Sequence, residues 1–109
     1  MGNSDMRYEN VQFQFLSFED YDCMLLGSVV VRGKEMVLDV LSEGNSPYVV
    51  VGKKSRGFFL GEHKGQPGEV PVRAKWIQLD DRYIGTWVEQ RIEYLFTFSL
   101  PTALGESTT

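Results

Sequence analysis

The sequence has few of the residues that many functional sites require. It contains one cysteine (Cys23), one histidine (His63) and four prolines among 109 residues. A single cysteine excludes an internal disulfide and a cysteine-based zinc cluster. The polar N-terminus also lacks the apolar stretch of a secretory signal. We therefore expect a cytoplasmic protein that holds no metal and no cofactor.

Long apolar stretches and an excess of positive charge are also missing. No apolar run approaches the ~18 residues of a membrane helix, so we expect no membrane association. Eleven basic residues against fifteen acidic ones give a net charge of −4. This balance argues against nucleic acid as a partner, because phosphate contacts need an excess of cations. The charge is uneven, however: residues 46–75 carry six basic and two acidic groups, and both flanking segments are acidic.

Alternation of apolar and polar residues is the main pattern that is present. No 11-residue window has a helical apolar period, whereas a period of two recurs along the chain, as in half-buried strands. With 42% hydrophobic residues, a chain of this length can bury a core of its own. Turn residues separate the alternating segments at short intervals, which favours antiparallel neighbours. The segments are about 8–17, 22–31, 36–42, 47–53, 58–63, 70–79, 82–89 and 92–100.

These segments predict an all-β fold with a single domain. We expect an antiparallel meander of about eight strands that forms a closed or nearly closed small β-barrel, with a β-sandwich as the alternative. The domain should span residues 8–100, between a flexible N-terminal segment, 1–7, and a flexible C-terminal tail, 101–109. A barrel that closes incompletely could pair with a second copy, so a homodimer is an open alternative.

Two-residue turns make the strand register predictable, because a turn fixes which residues face each other. A turn at Gly33-Lys34 places Arg32 opposite Glu35 and gives the hairpin one apolar face. Turns at Asp80-Asp81 and Gln90-Arg91 would join three further strands.

Those two turns place Gly85 between Trp76 and Phe96 on one continuous aromatic face. We expect Gly85 to be required because a side chain there would collide with both rings.

The aromatic face is the candidate ligand site. An eight-stranded barrel has an interior just wide enough to be filled or to hold one small ligand, and the sequence leaves both alternatives open. Glu89 is the single charged residue on this face. It either lies in water at the barrel mouth or serves as the polar anchor of a ligand, or as the partner of Arg73 or Arg91. The candidate ligand-binding residues are Trp76, Tyr83, Trp87, Glu89, Tyr94 and Phe96.

One tripeptide on this face resembles a family motif. Gly85-Thr86-Trp87 has the Gly-x-Trp form found in the calycins, the lipocalin and avidin group of up-and-down barrels. The family carries the motif near its first strand, whereas here it lies in the seventh. No ligand contacts of that family are therefore carried over to this chain.

A second candidate site lies in the basic middle of the chain. Cations beside aromatic rings on a strand are typical of single-stranded nucleic-acid binding, with cations for phosphates and rings for bases. Arg56-Gly57-Phe58 resembles the start of an RNA-recognition strand. The candidate nucleic-acid or anion-binding residues are Lys53, Lys54, Arg56, Phe58 and Phe59.

The leading functional hypothesis is a non-enzymatic β-barrel that binds a small apolar or aromatic molecule, or a protein partner. The first alternative is single-stranded nucleic-acid binding, and the second is a small enzyme of unknown reaction. His63, between Glu62 and Lys64 at a strand end, is predicted to be an exposed surface histidine and not a catalytic base. No catalytic residue is assigned.

Overall fold

Eight antiparallel strands follow one another around a closed barrel in the computed structural model, which describes residues 5–17, 22–41, 48–63, 71–89 and 91–100. Each strand pairs with the next, and β1 pairs with β8 to close the barrel. The predicted all-β meander and barrel are confirmed, and closure excludes the sandwich. The strands are β1 (Met6–Ser17), β2 (Asp22–Arg32), β3 (Glu35–Val40), β4 (Tyr48–Ser55), β5 (Phe58–His63), β6 (Val72–Leu79), β7 (Arg82–Glu89) and β8 (Ile92–Phe98).

The hairpin registers follow the turns that the sequence predicts. Gly33 adopts a φ of 58° and Lys34 is not in the positive-φ region, which fits a type II′ turn with glycine first. Arg32 consequently pairs with Glu35. Arg56 and Gly57, with φ of 55° and 92°, both have positive φ, as a type I′ turn requires.

The β7–β8 register is confirmed although its turn chemistry is unfavourable. Glu89 pairs with Ile92, which leaves two residues for the turn, and Trp87 pairs with Tyr94. Arg91 occupies the left-handed region at φ 68°, whereas Gln90 lies outside the described residues. The left-handed region is sterically unfavourable for most side chains. The strands therefore keep the register that buries their aromatic face despite this local backbone cost.

A bulge in β1 is a feature that alternation did not predict. The register with β2 shifts between Tyr8 and Val11, and Asn10 within the bulge has a φ of 57°. Tyr8 pairs with Val29 and Val11 pairs with Gly27. One extra residue on β1, with Glu9 and Asn10 opposite Ser28 alone, lets both Tyr8 and Val11 face the barrel interior, which strict alternation would forbid.

β1 also begins earlier than the predicted segment. Met6 pairs with Val31 and Arg7 pairs with Val30. These pairs place the last two residues of the segment 1–7, which was expected to be flexible, in a strand. The length of β2 explains the extension, because the C-terminal end of β2 offers partners to Met6, Arg7 and Tyr8.

Large side chains fill the middle of the barrel. Trp76, Phe13 and Phe96 are each 0% exposed, and Trp87 and Met36 are each 1% exposed. Interiors packed in this way contain few voids larger than a water molecule. The buried hydrophobic cluster is Val11, Phe13, Phe15, Val29, Met36, Leu38, Val40, Val50, Phe59, Val72, Ala74, Trp76, Trp87, Phe96 and Phe98.

The two ends of the barrel differ in the length of their connections. Two-residue turns at 33–34, 56–57 and 80–81 define one end, here called the hairpin end. At the opposite end, here called the long-connection end, three pairs of strands are joined through residues outside the described part of the chain, namely 18–21, 42–47 and 64–70.

No helix in the described ranges is long and apolar enough to cross a membrane.

Gly85 and Gly52 are among the glycines needed for close approach, and the reason for Gly85 differs from the prediction. A Cβ at Gly85 would lie 1.9 Å from the carbonyl oxygen of Lys75 and 2.6 Å from Cα of Trp76. The collision would therefore involve the β6 backbone and not the rings of Trp76 and Phe96. The glycine that does lie against the Trp76 ring is Gly52 on β4, where a Cβ would lie 2.4 Å from Cη2.

Tyr83 provides a pH-dependent test of packing at the hairpin end. Burial raises the pKa of its phenol above the ordinary value of 10.0, and Tyr8 raises it further. Folding therefore disfavours the ionised form, so this contribution to stability is complete below pH 10 and is lost as the pH rises through the raised pKa.

We expect the free energy of unfolding of the wild type to fall more steeply above about pH 10 than that of Tyr83→Phe. Urea unfolding measured between pH 7 and 11 would test this. Parallel curves for the two proteins above pH 10 would contradict it.

Candidate functional site

Polar atoms meet aromatic rings at the long-connection end, around the carboxylate of Glu89. Glu89 is the last residue of β7 and Tyr48 is the first residue of β4, 41 positions away. The Tyr48 hydroxyl donates a 2.7 Å hydrogen bond to Oε2 of Glu89. The indole Nε1 of Trp87 donates a 3.2 Å hydrogen bond to Oε1. With one donor on each oxygen, the orientation of the carboxylate is fixed.

The rings around this carboxylate stand nearly at right angles to one another. The Tyr48 ring makes an angle of 87° with His63 at 5.5 Å and of 77° with Trp87 at 5.9 Å between centroids. Phe15 packs edge-on against Trp87 at 5.0 Å and against Tyr94 at 6.3 Å. Edge-to-face contacts of this kind are favourable arrangements for aromatic rings. We call these residues the Glu89 cluster: Phe15, Tyr48, His63, Trp87, Glu89 and Tyr94.

His63 belongs to this cluster through both its ring and its Nδ1 atom. Alternation along β5 places it on the same side as Phe59 and Gly61, both of which are buried. Nδ1 lies 3.1 Å from the amide nitrogen and 3.1 Å from the carbonyl oxygen of Val49. The side chain is half-buried and packs on Tyr48. The sequence predicted an exposed surface histidine, whereas in the structure His63 is half-buried within the Glu89 cluster.

The ion pairs of the described chain lie away from Glu89. They join Arg7 to Glu9 and Arg32 to both Asp5 and Glu35. Arg73, one suggested partner of Glu89, pairs with Val88 in the β6–β7 ladder and is exposed on the outer face. Within the described ranges, the polar partners of the Glu89 carboxylate are the neutral Tyr48 and Trp87.

The six predicted ligand-binding residues are spread along the whole barrel. Trp76 and Trp87 both pack edge-on against Phe96, with centroids 6.0 and 5.5 Å away, in the filled interior. Glu89 and Tyr94 lie at the long-connection end.

Tyr83 lies towards the hairpin end, where its ring stacks on Phe98 at 5.0 Å. A single small ligand therefore cannot reach all six residues. The structure brings Trp87, Glu89 and Tyr94 together near one end.

The basic segment presents its two aromatic rings to opposite sides of the barrel wall. Phe59 is 8% exposed and stacks on Trp76 at 5.6 Å. Phe58 faces outward and is half-buried beneath Lys75, whose Nζ lies 4.8 Å from the ring centroid. Lys54 lies 5.9 Å from the Phe59 centroid, and Lys53 and Arg56 are exposed. Only Phe58 offers a ring on the same surface as Lys53.

Sequence reasoning missed three members of the Glu89 cluster. His63 could have been found from alternation along β5, but its charged neighbours in sequence directed attention to the surface. Tyr48 and Phe15 contact the cluster across the barrel interior, from β4 and β1. Contacts of this kind depend on barrel closure, which no local pattern encodes.

Comparison of the chain with protein-family models, with curated proteins and with solved structures finds no match. By its fold the chain is an eight-stranded up-and-down β-barrel, and a hydrogen-bonded carboxylate lies at one end of it.

Within the described residues, no group of three or more His, Cys, Asp and Glu side chains is placed to hold a metal ion.

Proposed function

We propose that this β-barrel binds a small molecule at its long-connection end, with Glu89 as the polar anchor. The observation that carries the proposal is the pair of hydrogen bonds that fix the Glu89 carboxylate among aromatic rings, from Tyr48 at 2.7 Å and from Trp87 at 3.2 Å. Ligand sites typically combine apolar and aromatic walls with a few oriented polar groups. The Glu89 cluster has both components.

Packing inside the barrel limits where such a ligand can lie. Trp76, Phe96 and Phe13 occupy the middle and are fully buried. A ligand there would have to displace side chains from a packed core, at a cost of several kcal/mol for each large residue. The long-connection end has a different character, because Tyr48 and Glu89 are only half-buried. The ligand is therefore proposed to contact the end of the barrel and not its centre.

Binding is proposed in preference to catalysis because of how the polar groups are used. Glu89 accepts hydrogen bonds from Tyr48 and Trp87, and Nδ1 of His63 contacts the backbone of Val49. Nucleophilic catalysis requires a nucleophile hydrogen-bonded to a base. The hydroxyl that contacts Glu89 is the phenol of Tyr48, and we propose that this hydrogen bond orients the carboxylate for binding.

Nucleic-acid binding by the basic segment is less well supported. One of its two rings, Phe59, is committed to the core through its stacking on Trp76. Base stacking on aromatic side chains contributes much of the affinity for single strands. An outer surface with Lys53, Arg56 and a half-buried Phe58 retains charge but offers little stacking area.

The two tryptophans allow the proposal to be tested residue by residue. A fragment panel of neutral, anionic and cationic aromatic compounds would be titrated into ¹⁵N-labelled protein, and both indole N–H signals followed. We expect at least one class to shift the Trp87 signal, because its Nε1 contacts Glu89, and to leave the Trp76 signal in place, because its Nε1 donates to Met36 Sδ in the core.

Two results would contradict the proposal. In one, no compound moves the Trp87 signal. In the other, every shift maps to the outer surface, for example to the groove of about 330 Å³ lined by Asn10, Gln12 and Thr97 beside the β1–β8 junction.

A further inference from the structure

The charge of Glu89 is balanced by no cation within the described part of the chain. Its two hydrogen-bond partners, Tyr48 and Trp87, are neutral, and the ion pairs of the described residues involve other carboxylates. A carboxylate that is partly withdrawn from water is stabilised by an opposite charge, and buried charges in proteins are generally paired. We propose that the ligand of the Glu89 cluster is a protonated primary amine that carries an aromatic group. This inference rests on the proposed function and specifies the chemical class of the ligand.

The carboxylate retains the capacity to bind an ammonium group. An ionised carboxylate offers about four acceptor positions on its two oxygens. Among the described residues, one donor contacts each oxygen, from Tyr48 and from Trp87. An ammonium group has three donors, and its charge-assisted hydrogen bonds to a carboxylate are shorter and stronger than neutral ones. A primary amine can therefore use acceptor positions that a quaternary ammonium cannot.

The donors already on the carboxylate leave a cation as the favoured charge of the ligand. Tyr48 and Trp87 contact Glu89 through the polar edges of their rings, by O–H and Nε1–H, and neither side chain balances the charge of the carboxylate. An anion at this position would be repelled by Glu89, and a neutral ligand would not gain the ion pair. An aromatic group on the amine could add edge-to-face contacts of the kind already present between Phe15 and Trp87.

Three compounds of nearly equal size separate the possible charges of the ligand. Benzylamine is cationic at pH 7, benzyl alcohol is neutral and benzoate is anionic. Each would be titrated into the wild-type chain, with the Trp87 indole signal giving the dissociation constant. We expect benzylamine to bind at least about tenfold more tightly than either analogue, since a charge-assisted hydrogen bond distinguishes it from them. Added salt should weaken benzylamine and leave benzyl alcohol nearly unchanged.

The matched variants are Glu89→Gln and Glu93→Gln. Glu89→Gln keeps the shape and an acceptor oxygen but removes the charge, so the preference for benzylamine should fall at least about tenfold. Glu93 is exposed on the outer side of β8, and its substitution should leave the preference unchanged. If Glu89→Gln does not fold, the salt dependence of the wild type tests the ion pair: benzylamine binding that added salt does not weaken would contradict it.

The possible results separate this inference from the proposed function. If benzyl alcohol or benzoate shifts the Trp87 signal at concentrations as low as benzylamine does, the ligand is not a cation although the site binds small molecules. If Glu89→Gln folds and keeps the full preference, Glu89 is not the counter-ion and the inference is wrong. If none of the three compounds, nor any other compound of the panel, reaches Trp87, the proposed function itself fails.

Discussion

Replacing Gly85 with alanine is expected to destabilise the barrel by about 3 kcal/mol or more, at the upper end of the usual cost of overpacking. The new Cβ would lie 1.9 Å from the carbonyl oxygen of Lys75 and 2.6 Å from Cα of Trp76. Both contacts are with backbone atoms, which cannot rotate away as a flexible side chain can. β6 and β7 would therefore have to separate at the pair formed by Trp76 and Gly85.

Urea unfolding followed by tryptophan fluorescence measures this effect, and Gly33→Ala is the matched control. Gly33 has a positive φ of 58°, but a Cβ there would meet nothing within 4 Å. Its substitution should cost only about 1 kcal/mol, the penalty of the left-handed conformation. If Gly85→Ala cost no more than Gly33→Ala, close approach of the strands would not be the reason for glycine at position 85.

The second large effect is expected for Trp76→Ala, at about 3–5 kcal/mol of unfolding free energy. Trp76 is fully buried, stacks on Phe59 at 5.6 Å and meets Phe96 edge-on at 6.0 Å. Its Nε1 also lies 3.3 Å from the sulfur of Met36. Removing the indole would leave a cavity that the surrounding strands, fixed by barrel closure, can fill only in part.

Gly52 lies against the Trp76 ring, so a second substitution at Gly52 tests the same packing. A Cβ at Gly52 would lie 2.4 Å from Cη2 of Trp76, so Gly52→Ala should destabilise the wild type. In the Trp76→Ala background the ring is gone, and Gly52→Ala should be less harmful or stabilising. A double-mutant cycle measures this coupling, and additive effects of the two substitutions would contradict the described contact. Leu60→Ala, at a position 56% exposed on the outer face, should change the stability by less than about 0.5 kcal/mol.

The part of the fold that depends on local geometry could be predicted from the sequence. A two-residue turn fixes its hairpin register, so the pairs of Arg32 with Glu35, Trp76 with Gly85 and Gly85 with Phe96 follow from the sequence alone. Alternation then assigned each strand a buried face. A turn at 90–91 is predicted against its residue preferences because it keeps the aromatic face continuous, and the structure has that register.

Features that depend on several strands at once could not be predicted in this way. The bulge at Asn10 changes which residues of β1 face inward, and the neighbouring residues do not predict a bulge. The closing pairs, such as Phe15 with Phe96, join the first and last strands and follow from the twist and stagger of all eight. The reason for Gly85 was misassigned because ring positions depend on rotamers, whereas the backbone approach to Lys75 depends on strand curvature.

The candidate site shows the same division. Glu89 is predictable because a charge is unusual on an apolar face, and Trp87 and Tyr94 because they share that face. Tyr48 is not predictable from local sequence, because its contact with Glu89 joins residues 41 positions apart across the barrel. Trp76, which is 0% exposed, is a core residue and lies out of reach of a ligand at the barrel end.

We propose that a small ligand binds this barrel through a direct contact with Glu89. A crystal structure of the barrel in complex with benzylamine tests it most directly. We predict the ligand nitrogen at about 2.7–2.9 Å from a carboxylate oxygen of Glu89, as for charge-assisted hydrogen bonds, with the ligand ring packed beside the half-buried Tyr48. A ligand bound elsewhere on the barrel, with Glu89 contacting only Tyr48 and Trp87, would contradict the claim.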